Sequence, residues 1–418
     1  MMDRSPTGTF GFELVMAFKL LGQIRQFSGK HVPFSASSPK IESVSWMDND
    51  VLVTSRLLTS GNSPVKSVKV VKDSIKAPSA VSMARKGIGI VWQGDYHKSK
   101  ELYSAMKRRV ESSFRGLTTT SPIDIFRKKR QMEKELSAVL NMLLIPFEAG
   151  HKLSLRRAPD LSGIMRHRFG PATEGYVVSL RQVLGLIGAQ QWRTNGLYVI
   201  QLHDTIFPFY SVFAPIRNEY LDLVLQAMDS SHSSKFQTLL EVGTGTGVLS
   251  AMLLKRQFVN QAICTDINPV AVECAQYNLD LLGFTGKFEV INHDLFPLDP
   301  IPVDLIICNP PWIPEPPQSM MDAAVFDNDS DMLRRFLLTA PKYLSLSTHA
   351  EIWLIMSNFA ELLNIRDTEF IVHLLAISGL EIVEEISCLS NHPKTKQTDA
   401  LGRIRSQETT TLYRIKRK

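Results

Sequence analysis

The sequence predicts an α/β protein whose C-terminal half winds helices about a mainly parallel sheet and whose N-terminal part is mainly helical. Three observations carry this. From residue 237 onward, short apolar runs alternate with helical periods to the end of the chain, the pattern of parallel βαβ units. The first of these runs enters a turn with glycine at 243, 245 and 247 that opens a helix. Between residues 98 and 144, apolar residues recur at helical spacing instead.

The 418 residues exceed one ordinary domain, and 44% hydrophobic with 21% charged residues is the composition of a globular chain with sizeable cores. Wholesale disorder and collagen-like structure are excluded. No apolar run reaches the roughly 18–20 residues that span a bilayer; the best, residues 10–21, is broken by Glu13 and Lys19. Asp3 and Glu13 argue against an acid-poor transit peptide. Cys264, Cys274, Cys308 and Cys388 form neither a CxxC pair nor a zinc-type cluster, so no metal is expected and the thiols suit a reducing, cytoplasmic setting. The net charge of +6 is uneven: residues 1–150 carry +10 and residues 237–418 carry −7. The basic part could face nucleic acid or an acidic partner, or be a solvated helical face; no membrane partner is expected.

Residues 1–85 read as a poorly defined N-terminal segment, with β-like runs at 51–53 and 65–71 and a turn signal at Gly61-Asn62-Ser63-Pro64. Residues 86–200 read as a basic, mainly helical domain. Leu102, Met106, Val110 and Phe114 fall on one helical face, and a second helix covers 125–144 with Arg127-Lys128-Lys129-Arg130 early in it. That basic run can touch phosphates or be a solvent-facing turn. Residues 201–418 form the third segment. Strands are expected at 197–202 and 207–213, a helix at 218–228, and a Ser/His linker at 229–234 before the alternation begins.

The chemistry concentrates at strand ends. Gly243, Gly245 and Gly247 let the backbone turn tightly and approach a ligand closely. The next strand, 262–265, ends in Asp266, about twenty residues on, where a carboxylate can accept both ribose hydroxyls. Glu241 just before the turn would repel a diphosphate and attract a cationic sulfonium amino acid, so S-adenosylmethionine fits better than NAD. A strand at 287–291 leads to Asp294 and Phe296, near where an adenine would lie, and a buried run at 303–308 delivers Asn309-Pro310-Pro311-Trp312.

Glu241 to Gly247, Asp266, Asp294 and Asn309 to Trp312, in this order and spacing, resemble a class I S-adenosylmethionine-dependent methyltransferase of the methyltransferase small domain branch, which includes release factor glutamine methyltransferases. Trp312 departs from the Tyr usual there. The resemblance implies a Rossmann-like seven-stranded methyltransferase sheet over 201–418, closed by a reversed hairpin from 381–389 and 409–415, with S-adenosyl-L-methionine held by Glu241, Gly243, Gly245, Gly247, Asp266, Asp294 and Asn309. It also implies an acceptor site in which Asn309 and the Pro310 carbonyl accept the two protons of an otherwise delocalised NH₂. The prolines stiffen the backbone and Trp312 stacks on the planar acceptor. Arg217 and Glu219 border the cofactor's methionine end or form a surface ion pair. Asp322, Asp327 and Asp331 occupy a substrate-facing loop or cap its helix. The basic residues from Arg403 to Lys418 contact RNA or form a solvated tail.

The expected function is therefore methyl transfer to a planar amide or amine nitrogen. A protein glutamine side chain is preferred as acceptor. An exocyclic base amine of RNA or DNA, bound through the basic N-terminal region, and a non-catalytic cofactor-binding protein stand as alternatives.

Overall fold

The computed structural model describes residues 40–48, 51–59, 64–115, 121–230, 236–319, 321–390 and 400–418. The stretch at 10–21, the turn at 61–63 and most of the 229–234 linker lie outside the described residues.

Two strands open the described chain, β1 (Lys40–Asp48) and β2 (Val51–Thr59), an antiparallel pair. With β3 (Ser67–Val71), β4 (Ile88–Trp92), β5 (Leu143–Phe147) and β6 (Tyr176–Ser179) they build a six-stranded mixed sheet in the order β1-β2-β6-β5-β4-β3. Helices α1 (Ala77–Arg85), α2 (Tyr96–Ser113), α3 (Pro122–Leu140), α4 (Ser162–Phe169) and α5 (Leu180–Asn195) intervene. The sheet curls until β1 comes round to β3. Val44, Trp46, Leu57, Val91, Leu144 and Val177 fill its inner face, while Ile90, Trp92, Leu143 and Ile145 meet the helices on the other.

Helices make up most of the described residues of 86–200. They rest on strands from both sides of residue 85, so the described residues from 40 to 85 share one six-stranded sheet with 86–200. The reason is physical. Strands such as Ile-Gly-Ile-Val-Trp are buried on both faces and show no alternation, and so short an apolar run cannot be told from a piece of buried helix.

A short hairpin of β7 (Leu197–Val199) and β8 (Asp204–Ile206) follows. Residues 207–213, expected as a strand, are irregular. Phe209 and Val212 instead pack on the first turns of a later helix, against Val270, Ala271 and Cys274.

From α6 (Glu219–Ser230) the chain alternates as expected: β9 (Phe236–Val242), α7 (Val248–Lys255), β10 (Val259–Asp266), α8 (Pro269–Leu281), β11 (Phe288–Asn292), β12 (Leu305–Cys308), α9 (Asp331–Thr339), β13 (Glu351–Ser357), α10 (Phe359–Leu362), α11 (Phe370–Ile377), β14 (Leu380–Leu389), α12 (Ala400–Arg405) and β15 (Thr409–Arg417). The seven-stranded sheet has the order β11-β10-β9-β12-β13-β15-β14, with β15 antiparallel to both neighbours. Strand order reverses between β9 and β12, so the carboxyl ends of those two strands flank the crevice where ligands bind in open α/β sheets.

The basic groups of β15 are absorbed by the fold. Arg414 pairs with Glu351 at 2.7 Å, Lys416 lies 3.5 Å from the same carboxylate, and Arg417 donates to the carbonyls of Pro341 and Leu344. A solvated tail is not what these residues form.

Candidate active site

The glycine turn is laced to the end of β10. Gly243 and Thr244 N–H groups donate to the Thr265 carbonyl at 2.9 Å, and Gly245 N–H donates to Asp266 Oδ2 at 2.9 Å. All three glycines have positive φ, 74° at Gly243, 55° at Gly245 and 77° at Gly247, a region costly for other residues. Their surroundings differ. A Cβ at Gly243 or Gly245 would meet nothing within 4 Å, whereas one at Gly247 would lie 3.3 Å from Ala275. Gly247 therefore lets α7 approach α8, and the first two glycines leave open space above the turn.

Asp266 Oδ1 also accepts from Asn268 N–H at 2.8 Å. Burial raises its pKa against the pull of these backbone donors. Ile267, the next residue, is an exposed apolar side chain, the kind of surface a planar ring can rest on.

Glu241 lies beneath the turn. It is 1% exposed and accepts from the Ser250 N–H at 3.1 Å and from the Ser250 hydroxyl. Ser250 is in the first turn of α7, so the carboxylate caps that helix. Burial pushes its pKa up to about 7.

Asp294 pairs with Arg335 of α9 at 2.8 Å. Phe296, expected beside an adenine, is buried, stacked on Phe336 and Tyr343 with centroids 5.7 and 4.6 Å away. The positive φ of Leu295, 68°, redirects the chain there.

Asn309, Pro310, Pro311 and Trp312 follow β12, which pairs directly with β9. Trp312 Nε1–H is shared between Asn309 Oδ1 at 3.1 Å and the Ile355 carbonyl at 3.2 Å. Arg366, buried, donates to the Trp312 carbonyl at 3.0 Å and the Ser357 carbonyl at 3.2 Å, with Glu361 neutralising it at 2.6 Å. Arg217 sits 5.3 Å from the centre of the Trp312 ring and bonds Glu219 and Glu408. Arg217 and Glu219 thus lie beside the Asn-Pro-Pro-Trp segment as a largely buried pair.

Helix α3 reaches the same loop. Arg130 donates to Asp322 at 2.7 Å and to the Pro316 carbonyl at 2.8 Å, and its guanidinium lies 3.6 Å from the Phe326 ring centre. Arg127 lies 3.7 Å from Glu315, and Phe126 packs with Ile313, Phe359, Leu363 and Leu401. Asp327 accepts from Met332 and Leu333 N–H groups, so it caps α9.

Sequence reasoning missed Arg366, Glu408 and Asn278. Asn278 donates to the Thr246 carbonyl and accepts from Phe207 N–H, tying the turn to the upstream segment. Its one legible signal was a polar residue on the apolar face of a helix. Among the described residues no group of side chains could hold a metal ion, and no helix is long and apolar enough to cross a membrane.

The chain is similar to known proteins over its C-terminal part. The family described as methyltransferase small domain matches residues 221–370. Methyltransferase HEMK2 of Mus musculus is 30% identical over 146 residues, 33% of this chain and 68% of that protein. A release factor glutamine methyltransferase of Cereibacter sphaeroides is 36% identical over 86 residues, 21% of this chain and 31% of its own length. A tRNA1(Val) (adenine(37)-N6)-methyltransferase of Shewanella loihica is 32% identical over 121 residues, 27% of this chain and 49% of that protein. The chain thus spans about a third of the glutamine enzyme it matches and about two thirds of the mouse protein. The match runs from the helix before the glycine turn to the helix after β13, the stretch that holds the turn, Asp266 and the Asn-Pro-Pro-Trp segment, and on that ground the chain belongs to the class I S-adenosylmethionine-dependent methyltransferases of the small domain family.

Proposed function

We propose that the chain transfers a methyl group from S-adenosylmethionine to the side-chain amide nitrogen of a protein glutamine. The observation that carries this reading is the adjacency of the two loops: the open glycine turn leaves β9, and the Asn-Pro-Pro-Trp segment leaves its partner strand β12. The open space over Gly243 and Gly245 and the carboxylate of Asp266 suit a ribose and an amino acid chain, and Ile267 suits an adenine face. When bound, the cofactor supplies an electrophilic methyl group. Asp266 then holds ribose hydroxyls, and Asp294, tied to Arg335, borders the adenosine from its exposed side.

On the acceptor side, Asn309 Oδ1 and the Pro310 carbonyl each take one proton of the NH₂, localising its lone pair. The indole N–H orients Asn309, and the ring offers a planar wall. Alignment supplies much of the rate, and no strong general base is required. Free, buried thiols at Cys264, Cys274 and Cys308 suit the cytoplasmic setting included in this reading.

An exocyclic base amine is the second reading, favoured by the +10 charge of residues 1–150. Against it, Arg127 and Arg130 of the basic run face Glu315 and Asp322. Incubation with radiolabelled cofactor, glutamine peptides and total RNA, followed by protease or nuclease digestion, tests the two. Label that survives nuclease and is released by protease supports the first; label released only by nuclease overturns it.

A further inference from the structure

A second cleft lies between α4, α5 and the irregular residues that follow β8. With its mouth, which opens to solvent, it spans about 360 Å³. Arg168 of α4, Arg193 of α5 and Tyr210 line it beside His167 and Phe209, and apolar side chains such as Leu186 complete its walls. None of the cofactor or acceptor residues named above belongs to this lining, and no carboxylate is among its described residues.

Arg193 is held by two contacts that leave one edge open. Its Nη1 donates to His167 Nε2, and the guanidinium lies 4.9 Å from the centre of the Phe209 ring. Nε and Nη2 form the edge that grips an oxyanion with two parallel bonds. They bond nothing among the described residues and are not shut off from solvent. The Tyr210 hydroxyl is in the same condition. Its ring is set by Gly185, where a Cβ would come within 3.0 Å of Tyr210 Cε2. Burial raises the Tyr210 pKa, and Arg168 lies near enough to pull it back. Burial lowers the pKa of both arginines, against Glu273, which stands outside the lining.

Partly desolvated guanidinium groups recover stabilisation from an anion. Arg193 and Arg168 offer only donors and Tyr210 a hydroxyl, so a group rich in acceptor oxygens fits. Two guanidinium charges favour a dianion over a single carboxylate, and the apolar walls suit an uncharged body that carries it.

We infer that this cleft binds a phosphomonoester, its oxygens taken by Nε and Nη2 of Arg193 and by the Tyr210 hydroxyl, with Arg168 supplying the second charge. The site is independent of the acceptor reading. It shares a wall with the cofactor loop: the Ser211 carbonyl accepts from Asn268 Nδ2 at 3.2 Å, and Asn268 N–H donates to Asp266.

Calorimetry on the full chain with phenyl phosphate, at fixed ionic strength and with S-adenosylhomocysteine saturating the cofactor crevice, tests the site. Arg193→Gln should weaken phenyl phosphate binding roughly tenfold or more. Tyr210→Phe, which keeps the ring against Gly185 and removes only the hydroxyl, should weaken it several-fold. Cofactor affinity and melting temperature should match wild type in both. Should Arg193→Gln melt early, Tyr210→Phe must show the loss by itself. Absence of heat at millimolar phenyl phosphate, or equal affinity in wild type and both variants, overturns the site. Heat that vanishes once the cofactor crevice is saturated places the ligand there and overturns it too. Benzoate binding as tightly as phenyl phosphate overturns the preference for phosphate. A single-stranded oligonucleotide that binds more tightly than phenyl phosphate, with the same loss in Arg193→Gln, overturns the monoester in favour of a nucleic-acid backbone.

Discussion

Trp312 Nε1 lies 3.1 Å from Asn309 Oδ1, three residues away, and the same N–H reaches the Ile355 carbonyl on β13. The motif thus carries its own orienting bond. One acceptor position of the asparagine oxygen is committed to the indole, which restrains the amide plane.

Trp312→Phe keeps the ring and removes that bond. Losing one neutral hydrogen bond, about 1 kcal/mol, frees the Asn309 amide to turn, so kcat should fall about fivefold with cofactor Kd unchanged. Asn309→Ala removes the acceptor itself and should lower kcat by roughly 10²–10³-fold, again with cofactor binding within a few fold. Asn309→Asp, which still accepts, should retain part of the activity. Steady-state kinetics and calorimetry on the three variants check this; full transfer by the alanine variant excludes amine positioning by Asn309.

Asp266→Ala should weaken S-adenosylmethionine binding by about 1.5–3 kcal/mol, the worth of hydrogen bonds to a charged group. Because burial raises the Asp266 pKa, wild-type affinity should also decline on acidification at a higher pH than for an ordinary aspartate, as the carboxylate is protonated. Calorimetric titrations at several pH values show both effects. An alanine variant that binds as tightly as wild type would remove Asp266 from the ribose.

Glu241 makes a pH-dependent contribution to stability. Its pKa is raised by burial from the usual 4.5 to about 7, so the stabilisation is fully present below pH 4.5 and is lost as pH rises through 7. The difference is worth about 3 kcal/mol. Relative to Glu241→Gln, wild type should therefore lose stability between pH 4.5 and 8, seen as a widening gap in melting temperature. A constant gap across that range would contradict a buried, proton-binding Glu241.

Arg130 is the hinge pin between α3 and the loop after Trp312, through Asp322, the Pro316 carbonyl and the Phe326 ring. Arg130→Ala should release that loop and lower kcat about 10–100-fold by misplacing the acceptor wall, while cofactor affinity stays put. Arg130→Lys should recover part of it. Equal losses of cofactor binding and turnover would point to general unfolding instead.

What was legible in the sequence is what is local in the fold. The glycine turn, Asp266 and Asn309 to Trp312 each sit at the end of a single apolar strand, so their chemistry and placement follow from a few consecutive residues. Glu408, Arg217 and Arg366 are brought to the same rim from positions up to 191 residues apart, through the reversal of β15, and no spacing along the chain announces that. Glu241 was legible as important but its capping of α7 was not, because strand alternation alone did not say which face of β9 lies under α7. The curled N-terminal sheet escaped notice because its strands are short and apolar on both faces. Arg127-Lys128-Lys129-Arg130 read as a charge run because the acidic partners of Arg127 and Arg130 lie beyond residue 310.

The insertion of β15 between β13 and β14 orders the assembly of the molecule. Strand β14 emerges first but its recorded ladder partner is β15, so during folding its ladder groups must wait for a segment some twenty residues further on. Pairings that close late are slow and leave strand edges open to wrong partners. The cofactor crevice between β9 and β12 can form without that step, whereas the rim carrying Glu408 cannot. On that order of assembly the crevice between β9 and β12 is expected to form before the rim that carries Glu408.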